Sequence, residues 1–281
     1  MADPVARHLR YLAQWQAESS VYSRRRALVR LEGQLGVPLL EATAEDLAGW
    51  REGLQLAPAS IASYVSHARK FYGWAVDVLL IDVSPVDGLR VPPVPRLLPR
   101  PIDDDELMAA VLAAPQPVRL MLVLSAWCGL RAKEIALLRR GSVRERARPP
   151  VLLVTWQATK GVRERLVPLC PFAVDELAAF GLPASGLIFR RRDGRPGGLS
   201  PASVSHYCCD YLHELGIAET LHGGRHRFAT QLMQATHDIR LVQELMGHAS
   251  PQTTAIYTKV SAAAAAAAVD ALPVPGLRIA G

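Results

Sequence analysis

The chain reads His222-Gly223-Gly224-Arg225-His226 near its end, then Gly247-His248, then Tyr257. Two histidines, an arginine and a tyrosine at these intervals form a set suited to handling phosphate, which points to chemistry on a nucleic-acid backbone. Tyrosine can attack a phosphodiester as a nucleophile and store the bond in a phosphotyrosine that a hydroxyl later reverses. That reaction needs rigid cationic forks for the nonbridging oxygens, because a pentacoordinate phosphate carries extra charge there. It also needs an acid, since a departing sugar alkoxide leaves poorly unless protonated.

Residues for the missing roles stand upstream. Arg131, in Cys128-Gly129-Leu130-Arg131-Ala132-Lys133-Glu134, follows a glycine break where a helix N-terminus adds positive potential. On its own such an arginine is more often a surface ion-pair member. Lys160 falls in the turn of a hairpin candidate, Val151 to Trp156 and back from Arg163 to Leu169. An ammonium there can swing to a leaving oxygen or simply be solvated. Only Lys70, Lys133, Lys160 and Lys259 are lysines, so Lys160 is the one candidate within the hairpin.

Composition narrows the setting. At 281 residues and 50% hydrophobic, the chain can bury substantial cores and is long enough for two modest domains. The longest apolar run, Leu120 to Cys128, is too short to cross a bilayer, and no signal-type block opens the chain, so a cytoplasmic protein without membrane contact is expected. Cys128, Cys170, Cys208 and Cys209 lack metal-ligand spacing and read as thiols in a reducing compartment. The net charge of +6 suits an anionic partner or a merely solvated basic surface. All the excess lies after residue 95, because residues 1–95 hold ten Lys/Arg against ten Asp/Glu.

Six prolines between Ser84 and Pro101 favour an extended connection, which places a domain boundary there. Residues 1–90 read as a small helical domain, 91–101 as a proline-rich linker and 102–281 as a second domain. Helical patterns cover Val5 to Ala17, Val21 to Gln34, a segment capped at Thr43, and Ser60 to Leu79. In the last, Ile61, Val65, Ala68, Tyr72 and Ala75 make an apolar stripe. Ser63, Ser66, His67 and Lys70 face elsewhere, either into a DNA major groove or into water. Arg24-Arg25-Arg26 with Arg30 reads either as a phosphate-contacting group or as a wet helix face. After the linker, Asp103 caps a helix to Ala113, two helices broken near Gly129 span Arg119 to Arg139, and Asp238 caps one that stops at Gly247. Ser250-Pro251 reads as a helix start carrying Tyr257, and Ala262 to Ala268 as further helix.

Order and spacing together closely resemble the tyrosine recombinase, or phage integrase, family. The set Arg, hairpin Lys, His-x-x-Arg, His and Tyr falls on Arg131, Lys160, His222, Arg225, His248 and Tyr257. Gly129-Leu130-Arg131 with Glu134, Phe228-Ala229-Thr230 after Arg225-His226, Leu245-Met246-Gly247-His248, and Thr253 to Tyr257 agree with it. The resemblance is specific over about 102–260 and rests only on helix count over 1–90. It implies a mainly α fold with a small β-sheet (α+β), in which a helical core-binding domain and a catalytic domain clamp duplex DNA. It further implies a core-type attachment site, a homo-oligomer on DNA in a tetrameric synapse, and a tail helix, Ala262 to Leu272, docking on a neighbouring protomer.

Under that resemblance Tyr257 attacks, Arg131, Arg225 and His248 bind the phosphate, and His222 orients it and assists proton movement. Lys160 protonates the leaving oxygen and Glu134 supports Arg131 or His222. Arg24, Arg25, Ser66, His67 and Lys70 are the expected DNA contacts. No metal or cofactor is expected, because the arginines supply the charge. Two features depart from the family pattern: Gly223-Gly224 is expected to loosen the backbone before Arg225, and Met1 to Val21 leaves no room for an arm-binding domain. A type IB-like topoisomerase and a catalytically weakened DNA-binding relative are the competing readings.

Overall fold

The computed structural model describes residues 3–94, 102–155, 164–191, 195–247 and 262–272, and of residues 262–265 only the backbone. The chain divides into two compact units, residues 1–97 and 98–281.

The first unit is helical: α1 (Pro4–Leu12), α2 (Glu18–Leu35), α3 (Ala44–Glu52) and α4 (Pro58–Asp77). Local chemistry sets their ends. The Asp3 carboxylate accepts the Val5 N–H ahead of α1, and Thr43 and Asp46 exchange bonds as a capping box on α3. Gly36, at φ +71, closes α2 in a left-handed conformation that costs a glycine little. All five residues of the expected α4 stripe are buried, and the Tyr72 hydroxyl donates to the Leu39 carbonyl at 2.8 Å. The first helix stops at Leu12, short of the expected Ala17. Residues 13–16 turn instead, which lets α2 fold back onto α1, and no glycine or proline marks the place.

One polar side chain lies in this core. His8 is 1% exposed, sits against Phe71 and Trp74, and both its ring nitrogens lack a partner among the described residues. Burial first, then the nearby Arg24 charge, pushes its pKa down to about 4. The unfolded chain takes up a proton near 6.5 that the folded chain refuses until about 4. Stability from a neutral His8 is therefore complete above pH 6.5 and falls as pH drops through that window, by about 3 kcal/mol at its end. Acid unfolding of His8→Leu, followed by tryptophan fluorescence, should show a shallower decline between these pH values. Parallel curves for both proteins would rule the histidine out as the cause.

The second unit holds α5 (Asp104–Ala113), α6 (Val118–Ala126), α7 (Ala132–Ala136), β1 (Val143–Arg144), β2 (Val151–Val154) and β3 (Arg165–Pro168). These are followed by α8 (Pro171–Phe180), α9 (Pro201–Glu214), α10 (Leu221–Thr236), α11 (Ile239–Met246) and α12 (Ala262–Asp270). The fold is thus mainly α with one small antiparallel sheet, ordered β1-β2-β3. The expected hairpin pairs Val151 with Pro168 and Val154 with Arg165, and β1 adds a short edge strand that its two residues did not announce. α6 is the centre, buried from Leu120 through Ala126. Next to it α7 is only five residues long and ends at Ala136, not near Arg139.

α6 ends where Leu130 N–H reaches back to the Leu124 carbonyl and Gly129 turns left-handed at φ +64. A β-carbon on Gly129 would stand 2.5 Å from the Phe228 ring, so glycine is needed twice over at the entry to Arg131. α12 rests against β3 and α10 of its own unit, with Ala268, Val269 and Leu272 buried in the common core. Among the described residues no helix is long and apolar enough to cross a membrane.

Candidate active site

Glu134 is the centre of the site. It lies on α7, 1% exposed, and receives three guanidinium groups. Arg165 grips both carboxylate oxygens, at 2.9 and 2.8 Å. Arg131 donates from its backbone N–H and from Nη1, each at 2.9 Å, and Arg225 Nη1 stands 3.7 Å away. Burial pushes the Glu134 carboxyl up, but the hydrogen bonds and charge of Arg165, the Arg131 N–H and the Arg225 charge together hold it below its ordinary range.

The end of α11 supplies the other half. Three successive carbonyls there each accept one of the same arginines: Leu245 from Arg165 Nε at 2.7 Å, Met246 from Arg225 Nη2, and Gly247 from Arg131 Nη2 at 3.4 Å. A helix C-terminus leaves such carbonyls without intrahelical donors and carries negative potential, so cations belong there. Gly247 closes α11 at φ +60, and a β-carbon on it would lie 2.7 Å from Arg165 Nη1. The glycine therefore serves the helix stop and makes room for the arginine.

Arg225 is 1% exposed and also donates to the Gly129 carbonyl. Burial, then the Arg131 charge, lowers its pKa to about 9, with Glu134 pulling upward and Arg165 downward. It stays protonated at neutral pH. The described ion network thus joins one carboxylate to three guanidinium groups, an excess of positive charge at one spot.

His222 stands on the first turn of α10, three residues before Arg225, exposed, with its ring 4.4 Å from that of His226. Burial and then Arg225 lower the His226 pKa. The expected loosening at Gly223-Gly224 is not found. Both glycines are buried inside the regular first turn of α10, and Gly224 faces α6, where a β-carbon would meet Ser125 Oγ at 3.3 Å and Ala126 Cβ at 3.4 Å. Gly224 allows the close approach of two helices, which the Ser125 hydroxyl fastens by donating to the Leu221 carbonyl at 2.7 Å. Lys160, His248 and Tyr257 lie outside the described residues.

Sequence reasoning missed two arginines. Arg165 is the larger omission, being 8% exposed and the main partner of Glu134. Arg227, 1% exposed, lies 4.6 Å over the Trp127 ring and pairs with Asp104, fastening α10 to α5. In the first unit the structure corrects Arg24, which is 4% exposed and donates to the His67 carbonyl at 3.2 Å instead of sharing the open face of Arg25 and Arg26. Ser66 and Lys70 are exposed on α4 and His67 is half-buried, its pKa lowered by burial and then by Arg24 and Lys70. Among the described residues no group of three or more His, Cys, Asp or Glu could hold a metal ion.

The model of the Phage integrase family matches residues 102–264. Tyrosine recombinase XerC of Serratia marcescens is 33% identical over 281 residues, covering 92% of this chain and 90% of that protein. Among solved structures, the integrase from mycobacterium phage Brujita covers 99% of this chain and 95% of its own, at 26% identity and a TM-score of 0.54. A lambda integrase dimer bound to a COC′ core site covers 89% of this chain and 74% of its own, at 20% identity and a TM-score of 0.68, a likeness of fold. The chain belongs to the phage integrase family, the tyrosine recombinases. As a member of that family, the chain is a site-specific DNA recombinase.

Proposed function

We propose that Tyr257 attacks the scissile phosphate of duplex DNA, so that its phenolic oxygen bonds to phosphorus as the bond to the 5′ oxygen breaks. The products are a 3′-phosphotyrosyl link and a 5′-hydroxyl, and a 5′-hydroxyl from a partner duplex reverses the step. What supports this reading is the excess of guanidinium charge around the buried carboxylate of Glu134. A phosphate is the anion that completes it. Arg131, whose side chain keeps 24% of its surface open, and Arg225, which uses two nitrogens on carbonyls, retain donors for nonbridging oxygens. His248 joins them, His222 orients the phosphate and assists the phenolic proton's departure, and Lys160 protonates the leaving oxygen.

In the same reading the partner is duplex DNA with a core-type site, bound by a homo-oligomer that forms a tetrameric synapse. Exposed Arg25, Ser66 and Lys70, with the half-buried His67, are the contacts of the first unit, and Arg24 holds α2 to α4 behind them. α12 exchanges from its own unit to a neighbouring protomer on DNA.

A supercoiled plasmid with and without DNA flanking the gene provides the test. A site-specific recombinase yields resolved or joined circles only when the flanking DNA is present. Relaxation of both plasmids alike would favour a strand-swivelling topoisomerase, and binding without any cleavage would leave only a DNA-binding role.

A further inference from the structure

Arg165 is a buried charge that the mechanism above does not use. It is the first residue of β3, and Val154–Arg165 is the last described pair of the hairpin. Lys160 stands five positions earlier in the sequence. Each nitrogen of the Arg165 guanidinium is engaged: Nε with the Leu245 carbonyl at 2.7 Å, Nη1 and Nη2 with Glu134 at 2.9 and 2.8 Å. With all three nitrogens engaged by protein acceptors and the group wedged against Gly247, it is placed to hold protein groups and not a DNA phosphate.

We propose that Arg165 is a positioning residue for proton delivery, which pins the base of the β2–β3 hairpin to Glu134 and to the end of α11. Those two anchors also hold Arg131 and Arg225. One planar fork thereby references β3, whose first residue lies five positions after Lys160 in the sequence, to the same groups that fix the phosphate-binding arginines. Lysine cannot replace it, because a single ammonium lacks the flat pair of donors that matches a carboxylate and the third donor set apart from them. The inference rests on the reading of Lys160 as the acid.

The test uses the full chain and two duplexes carrying a cleavage site mapped in the flanking DNA. One is ordinary, and the other has sulfur in place of the scissile 5′ oxygen. In both, the tyrosine–phosphorus bond forms as the bond to the leaving atom breaks. Oxygen must gain a proton as it leaves, whereas sulfur departs as a thiolate, its conjugate acid having a pKa of about 8.5. Arg165→Met should cut the ordinary duplex about 100-fold more slowly than the parent, the scale of a lost general acid. On the sulfur duplex the deficit should shrink to within roughly fivefold, since the acid step is removed. Lys160→Ala serves as the reference and should show the same split.

Glu134 keeps Arg131 and Arg225 when Arg165 is neutralised, so the variant retains charge compensation there. If it nonetheless melts at assay temperature, Arg165→Lys carries the same comparison. A split in Lys160→Ala but an equal deficit on both duplexes for the Arg165 variant, or no deficit at all, overturns the positioning role alone. No split in Lys160→Ala overturns the acid assignment and this inference with it.

Discussion

Replacing Glu134 with alanine should destabilise the second unit more than any other single change in the site. The substitution leaves Arg165 and Arg225, 8% and 1% exposed, without the carboxylate they share. Stranding buried charge in this way costs about 3–5 kcal/mol. For a unit of this size that lowers the melting temperature by on the order of 10 °C. The cleavage rate should fall with it, at least about 100-fold, because Arg131 and Arg225 lose the group that fixes their donors, and one such donor contributes about 2.7–4 kcal/mol to the barrier. Glu134→Gln, which keeps an acceptor but no charge, should fall between the two. Because the carboxyl is held below its ordinary range, its contribution is complete above the unfolded-state pKa of 4.5 and fades as pH falls below it. Differential scanning calorimetry and single-turnover cleavage measure both effects. An alanine variant that melts and cleaves like the parent would show that backbone carbonyls, those at the end of α11 and that of Gly129, hold the three arginines without the carboxylate.

Part of the candidate site can be read from the sequence because the proposed chemistry demands scarce residue types at fixed intervals. Arg131 after its glycine, and His222 with Arg225 on one helix, fall where the motif places them, and Asp103, Thr43 and Asp238 announce their helices by capping. Arg165 escaped because an arginine beside a turn reads as solvated. Strand alternation contains the signal: Arg165 and Val167 share the buried face, while Leu166 between them is 49% exposed. Arg24 was misplaced for a similar reason. Three adjacent arginines look like one charged surface, yet a helical period puts Arg24 in line with Ala27, Leu28 and Leu31, all buried.

The Gly223-Gly224 pair misled in the opposite direction. Glycine weakens an isolated helix, so a loose turn was the natural expectation. The neighbour that overrides this propensity is α6, nearly 100 residues away in sequence, whose Ser125 and Ala126 press on Gly224. Propensity is local, and the close packing of α10 on α6 is not. The termination of α1 at Leu12 and the brevity of α7 have the same origin, since in each case the chain must turn to pack and no residue type marks the turn.

The nucleophile decides the account. Tyr257→Phe removes one oxygen and leaves the arginines in place, so binding should match the parent while, on the proposed reading, no covalent bond to DNA can form. Cleavage should be lost altogether, not merely slowed, because the phosphotyrosyl bond has no other oxygen to form on. The most direct measurement is trapping on a nicked duplex whose cleaved fragment diffuses away, with the covalent complex counted on a denaturing gel. The parent should accumulate adduct and Tyr257→Phe should show none, with equal retention of both proteins in a native binding assay. Undiminished adduct from Tyr257→Phe would contradict the account at its centre.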